Sequence, residues 1–208
     1  MKEYHKIQTV FLRDPADNFK TLLVGKWSKP EFEYLSGNKW VWTEKVDGTN
    51  IRLILDGADS RVGGKTDNAT LHPHLFLRCR EYLDAARAVG LDGLTLYGEG
   101  YGAGIQKSGG NYGSQKEFVL FDVCSADGMW LERANVEGIA GKVGVRVVPI
   151  LGTSDLHEAI AVCRNGIVSQ WGPFAAEGLV LRPAVELRNR RGERVITKLK
   201  TRDYEAAK

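Results

Sequence analysis

Six short segments rich in β-branched and aromatic residues, at 39–44, 50–55, 94–97, 118–123, 178–181 and 195–199, recur along a chain of 208 residues. Their partial apolar–polar alternation predicts strands that are buried on one face. Helical spacing is confined to three places. Over 75–89, Leu75, Cys79, Tyr82, Leu83, Ala86 and Val89 fall on one stripe, and Gly90 stands where such a helix would end. A second helix is expected over 132–142. A third is expected over 155–165, with Ser154 as its N-cap and Gly166 after its end. Strands joined by turns, with a few helices interspersed irregularly, predict an α+β fold of mainly antiparallel sheets with flanking helices. No repeat, composition break or Pro/Ser-rich linker divides the chain, so a single domain over 1–208 is expected.

Composition excludes several classes. With 43% apolar and 26% charged residues, the chain can build a packed core. No apolar run approaches the roughly 20 residues of a membrane span. The start, Met1-Lys2-Glu3-Tyr4-His5, is too polar for a secretory signal. Cys79, Cys124 and Cys163 lack a C-x-x-C spacing and suggest neither a disulfide framework nor a zinc site, which fits a reducing, cytoplasmic setting. The net charge of +3 conceals an asymmetry: residues 182–208 carry nine Lys or Arg against four Asp or Glu, a local +5, and residues 1–181 carry −2. A basic end of this kind suits phosphate or nucleic acid, and it suits a solvated tail equally well.

The segment with the most chemical content is Thr43-Glu44-Lys45-Val46-Asp47-Gly48-Thr49-Asn50, between two expected strands. Gly48 permits a tight turn there. A lysine at the end of a strand can be held rigidly and pointed into a cleft, and it becomes a nucleophile when its amine loses a proton. Alone, Lys-x-Asp-Gly also describes a surface hairpin. It is followed by Leu96-Tyr97-Gly98-Glu99-Gly100-Tyr101-Gly102, then Phe118-Val119-Leu120-Phe121-Asp122-Val123. Next come Ala176-Glu177-Gly178-Leu179-Val180-Leu181-Arg182-Pro183 and Val195-Ile196-Thr197-Lys198-Leu199-Lys200.

In this order and spacing the five elements resemble motifs I, III, IIIa, IV and V of the covalent nucleotidyltransferases, the superfamily of ATP-dependent polynucleotide ligases and mRNA capping enzymes. DNA ligases and capping enzymes usually carry arginine two positions after the motif I glycine, where this chain has Asn50. Lys-x-x-Gly-x-Asn is similar to small RNA ligases of the phage nick-sealing class. So are the flanks Trp27-Ser28-Lys29-Pro30-Glu31-Phe32-Glu33-Tyr34 and Gly63-Gly64-Lys65-Thr66-Asp67-Asn68-Ala69. The resemblance implies an adenylation domain with a nucleotidyltransferase, ATP-grasp-like fold, acting on RNA with 5′-phosphate and 3′-hydroxyl ends. It also implies ATP and magnesium or manganese as cofactors, and a monomer acting in the cytoplasm, that of the host if the chain is phage-encoded.

The resemblance further implies residue roles. Lys45 would form lysyl-AMP. Lys198 and Lys200 share one face of a strand, suit an α-phosphate, and would lower the Lys45 pKa by like-charge repulsion. Glu99, set among glycines that let backbone approach a ligand, would bind the ribose. Phe121 would stack on adenine with Val180 on its other side. Glu177 would hold the metal, directly or through water. Asn50 would position phosphate or metal, and Glu44 would accept a hydrogen bond from the adenine amino group. Where relatives place an arginine between motifs I and III this chain has Lys65, with Arg61 four residues earlier. Lysine gives charge without a bidentate fork. The chain stops eight residues after Lys200, which is expected of a minimal ligase, a truncated chain, or one that relies on a partner to engage RNA. The C-terminal basic stretch, Arg188, Arg190 and Arg191 included, is expected to supply most of the salt-sensitive RNA affinity.

Other residues carry weaker signals. His72-Pro73-His74 lacks a third metal ligand and reads as surface. Gln106, Lys107 and Asn111 lie in a Gly-rich stretch that could touch phosphate or be a mobile loop. The tryptophans at 27, 40, 42, 130 and 171 read as packing residues. Three alternatives remain: an RNA guanylyltransferase, a DNA ligase, or a silent RNA-end-binding module.

Overall fold

The computed structural model describes residues 3–205, so Met1, Lys2 and Lys208 of the charge and N-terminal expectations lie outside the described residues. In chain order the elements are β1 (Gln8–Thr9), β2 (Phe11–Arg13), β3 (Leu22–Trp27), α1 (Pro30–Tyr34), β4 (Trp40–Lys45), β5 (Thr49–Leu55) and β6 (Arg61–Gly63). Then come α2 (Pro73–Ala88), β7 (Leu94–Tyr101), β8 (Glu117–Ser125), α3 (Arg133–Val143) and β9 (Arg146–Val147). The last are β10 (Ile150–Ser154), α4 (Leu156–Asn165), β11 (Gly178–Pro183), β12 (Thr197–Lys200) and α5 (Arg202–Glu205). The architecture is mixed α+β with antiparallel pairing dominant, as the sequence predicts. No helix among the described residues is long and apolar enough to cross a membrane.

These elements group into two compact units. Unit one holds residues 3–5 and 46–148, and unit two holds 6–45 and 149–205. Unit two contains a five-stranded sheet in the order β1-β12-β11-β4-β10 and the β2–β3 hairpin. Only β1 runs parallel to its neighbour in that sheet. Because side chains alternate along a strand, Trp40 and Trp42 of β4, Leu179 and Leu181 of β11 and Leu199 of β12 go to one face. There they pack with Phe32 of α1 and with Leu156, Ala159, Ile160 and Cys163 of α4. The remaining face takes Thr43, Lys45, Val180, Lys198 and Lys200.

Unit one contains a five-stranded sheet in the order β6-β5-β7-β8-β9. Its core gathers Ile51, Leu53 and Leu55, Leu96, and Phe118, Leu120 and Val123 from the sheet. Helix α2 adds Leu75, Cys79, Leu83 and Ala86, and helix α3 adds Val136, Ala140 and Val143. Phe121 is the extra residue of a bulge in β8: Gly98 pairs with Leu120, while Tyr97 pairs with Asp122.

Three local expectations are corrected. Val89 is the C-cap of α2 and nearly half exposed, because the helical turn ends at Ala88 before the stripe reaches it. The N-cap of α4 is Asp155, whose carboxylate accepts from the Glu158 amide at 2.8 Å; Ser154 still belongs to β10. The last strand begins at Thr197, two residues later than 195–199 predicts.

Candidate active site

In unit two the register brings the candidate residues into two rows. Gly178 of β11 lies opposite Lys45 of β4 on one side and Lys200 of β12 on the other, and Val180 lies between Thr43 and Lys198. All point to the face away from the apolar core. Glu177, just before β11, then meets the first row: its Oε2 accepts from Lys45 Nζ at 2.5 Å and its Oε1 from Lys200 Nζ at 2.9 Å. Two ammonium groups therefore hold one carboxylate, and Lys198, one row along on the same face, feels the charges of all three, an arrangement that favours a polyanionic ligand.

The electrostatics follow from this crowding. Burial, then the Lys200 and Lys45 ammonium groups, push Lys198 down to about 8 against an opposing pull from Glu177. For Glu177, burial acts to raise the carboxyl. The Lys45 charge and the hydrogen bonds from Lys45 and Lys200 outweigh burial and hold it below the usual carboxylate range.

Glu44 departs from its expected place. It is buried on the opposite face of β4 from Lys45, with Oε1 accepting from Ser169 Oγ at 2.6 Å and Oε2 from the Gln170 amide at 2.8 Å. Alternation along the strand separates it from the lysines, and its carboxylate anchors the 169–170 segment.

In unit one, Asn50 of β5 is paired directly with Glu99 of β7. Both lie on the sheet face opposite the apolar core, and Asn50 Oδ1 is enclosed with no hydrogen-bond partner among the described residues. Two of the glycines around Glu99 are required by packing. A Cβ on Gly98 would collide with the Phe118 ring, and one on Gly100 would press on Leu75 at 2.5 Å, so both make room for the core. Gly48 likewise matters for closeness: a Cβ there would meet Gly100 O and Glu99 Cγ. Asp47 and Gly48 also hold the Gly-rich loop, because Ser108 Oγ donates to Asp47 Oδ2 and Gln106 Nε2 donates to Gly48 O.

Phe121 is partly exposed at its bulge. Sequence reading missed its neighbour, Tyr4, whose ring meets Phe121 edge-on at 5.0 Å and whose hydroxyl donates to the buried Asp122 at 2.6 Å. The only signal was an aromatic residue in a polar leader. Lys65 and Arg61 are both exposed, and Arg61 Nη1 donates to Asp59 O. The arginine that organises this region is Arg52, also missed. Fully buried under the 63–67 loop, it donates from Nε to Gly64 O at 2.8 Å and from Nη2 to Asp67 at 2.7 Å. His72 is exposed and caps α2 through the His74 amide, while Trp40 and Trp42 lie in the core of unit two.

Among the described residues no group of three or more His, Cys, Asp and Glu could hold a metal ion. A magnesium-sized cation needs fewer protein ligands, since it takes one or two carboxylates together with substrate phosphate oxygens and water. Glu177 fits that donor set once Lys45 leaves Oε2.

Comparison with known proteins adds two findings. The family model for RNA ligases matches residues 38–200. Solved structures of Naegleria gruberi RNA ligase share the fold. A variant with ATP and Mn aligns at a TM-score of 0.68 and 20% identity over 84% of this chain and 52% of that one. The form with PPi gives 0.68 and 20% over 86% and 54%. A second variant with ATP and Mn gives 0.72 and 18% over 100% and 58%. The chain thus spans little more than half the length of these structures.

Proposed function

Since this chain belongs to the RNA ligase family, we propose that it carries out ATP-dependent nucleotidyl transfer through Lys45 and seals RNA ends. The observation that carries this reading is the pairing of Lys45 and Lys200 with Glu177, with Lys198 one row along on the same sheet face. A module that only held RNA ends would have no use for a nucleophile at the centre of such a cluster.

In the first step Lys45 Nζ forms a bond to the α-phosphorus of ATP, the bond to the bridging oxygen of the β-phosphate breaks, and pyrophosphate leaves. The amine must first lose a proton, and Glu177 Oε2 at 2.5 Å is within reach of it. An RNA 5′-phosphate oxygen then attacks the same phosphorus, breaks the P–N bond and frees Lys45. Finally a 3′-hydroxyl attacks the 5′-phosphorus and AMP departs. Each step is displacement at phosphorus and depends on positioning and charge neutralisation. Lys198 and Lys200 supply cations from a rigid strand. Glu177 would hold a divalent cation, which would add to the neutralisation of phosphate charge; a variant of Naegleria gruberi RNA ligase was solved with ATP and Mn.

On unit one the assignments follow the family pattern: Glu99 to the ribose hydroxyls, Phe121 to the base, Asn50 to phosphate positioning, and Lys65 with Arg61 to phosphate. The Asn50–Glu99 pairing supports the first of these. Val180 remains a base-packing residue. The Glu44 side chain serves structure.

Incubation with α-labelled ATP and magnesium tests the reading. Label that survives denaturation and disappears in Lys45→Ala is expected. Label from GTP alone would point to capping chemistry, and no adduct from either nucleotide would sink the proposal. Sealing of nicked RNA in preference to nicked DNA then fixes the polymer.

A further inference from the structure

Unit two carries an open groove of about 590 Å³ that plays no part in the chemistry above. Its lining includes Lys29 and Tyr34 at the two ends of α1, with Arg188, Arg190, Arg191 and Glu193 from a turn before β12. The short helix is fixed by Phe32, which is fully buried against Trp40 with ring centroids 6.3 Å apart. Two residues later Tyr34 is 86% exposed. A tyrosine so exposed leaves its ring in water and open to a flat partner.

The turn is preformed. Asn189 Oδ1 accepts from the amides of Arg191 and Glu193 at 3.0 Å, and the Asn189 amide donates to Glu193 O at 2.8 Å. At its base Arg194 binds Glu186 through Nε and Nη2 at 2.6 and 2.8 Å. Lys29 Nζ meets Glu193 Oε2 at 3.0 Å and ties the turn to the start of α1. That contact pairs Glu193, and with Glu31 as the second acid of the lining, four basic side chains against two acidic ones leave the groove net positive.

We propose that this groove binds a single-stranded segment of RNA, with phosphates on Arg188, Arg190 and Arg191 and one unpaired base stacked on Tyr34. The proposal rests on the ligase reading and specifies the form in which RNA meets this chain. Clustered guanidinium groups beside an exposed ring match a polyanion that also presents π faces, which single strands do. A blunt A-form duplex has its bases already stacked and offers phosphates and 2′-hydroxyls only. Such a duplex can use the arginines but not Tyr34.

The test measures binding of the whole chain to a short 5′-phosphorylated single strand and to a blunt duplex of equal length, by fluorescence anisotropy over a salt series. Tyr34→Ala is expected to weaken single-strand binding about tenfold and leave duplex binding unchanged, while Tyr34→Phe keeps wild-type affinity. Arg190→Gln with Arg191→Gln is expected to lower the single-strand salt slope by about 1.4. Unchanged single-strand affinity in Tyr34→Ala, or an equal loss on the duplex, overturns the proposal. Lysyl-AMP formation without RNA, measured on the same variants, should match wild type. Adduct formation without Tyr34-dependent binding removes the groove and leaves the ligase reading. Tyr34-dependent binding without any adduct does the reverse.

Discussion

Lys198 is the lysine whose charge the fold opposes most clearly. Its value of about 8 in the folded chain lies below the ordinary 10.5. Across that window the unfolded chain binds a proton that the native chain does not, so this group's contribution to stability rises with pH from about 8 to 10.5. Phosphate binding runs the other way, because it needs the ammonium form. We therefore expect kcat/KM for lysyl-AMP formation to fall as pH rises through about 8, and Lys198→Arg to carry that fall to higher pH. Rate against pH at low ATP checks this, and identical profiles for the two proteins would exclude Lys198 as the titrating group. The lysine was legible in sequence because it alternates with Lys200. Its depressed value was not, since that depends first on burial and then on the charges of Lys200 and of Lys45, the latter some 150 residues away in the chain. Arg52 shows the same limit. In sequence it is one polar residue in a strand over 50–55; its burial depends on Gly63, whose absent Cβ leaves space for the guanidinium, and on Gly64 and Asp67 folding over it.

At the scale of elements, the site is a consequence of register. Because Gly178 faces both Lys45 and Lys200, the carboxylate that precedes it can reach both amines. A shift of one residue in β11 would turn Leu179 toward the lysines and Gly178 toward the core. The Glu177 bridge also contributes to stability. Its folded value lies below the ordinary 4.5, so its contribution is complete above that value and is lost as pH falls through the folded one. Glu177→Gln should thus lower the urea midpoint at neutral pH, and the gap from wild type should narrow on acidification. A gap that widens in acid would mean the bridge does not stabilise the fold. Of the elements, strands with β-branched runs and helices with a clear apolar stripe were legible. Strands β1, β2, β6 and β9 were not, since two or three residues carry no period. β10, with Gly152 at its centre and Thr153-Ser154 after it, lacks the composition of a strand and is held by pairing to β4.

At the scale of the molecule, each unit has its own apolar core. Leu83 is almost fully buried in that of unit one. Leu83→Ala is expected to cost about 2–5 kcal/mol there. Hydrogen exchange read by mass spectrometry should show protection falling in β5, β7 and β8 while β4, β11 and β12 retain theirs. Equal loss in both sets would mean that the units open as one. This division was invisible in sequence, because the boundaries at 45–46 and 148–149 fall beside strands and carry no change in composition.

The interrupted path of unit two also sets an order of events during synthesis. Strand β4, with Lys45 at its end, leaves the ribosome early, but its partners β10 and β11 and the lysines of β12 are translated only after all of residues 46–148. The intervening unit can complete its own sheet first, while β4 waits without the strands that hold it. A nascent chain therefore carries Lys45, the proposed nucleophile, before it carries Glu177, Lys198 and Lys200. Competence for the proposed nucleotide attack waits until β12 joins the sheet beside β11.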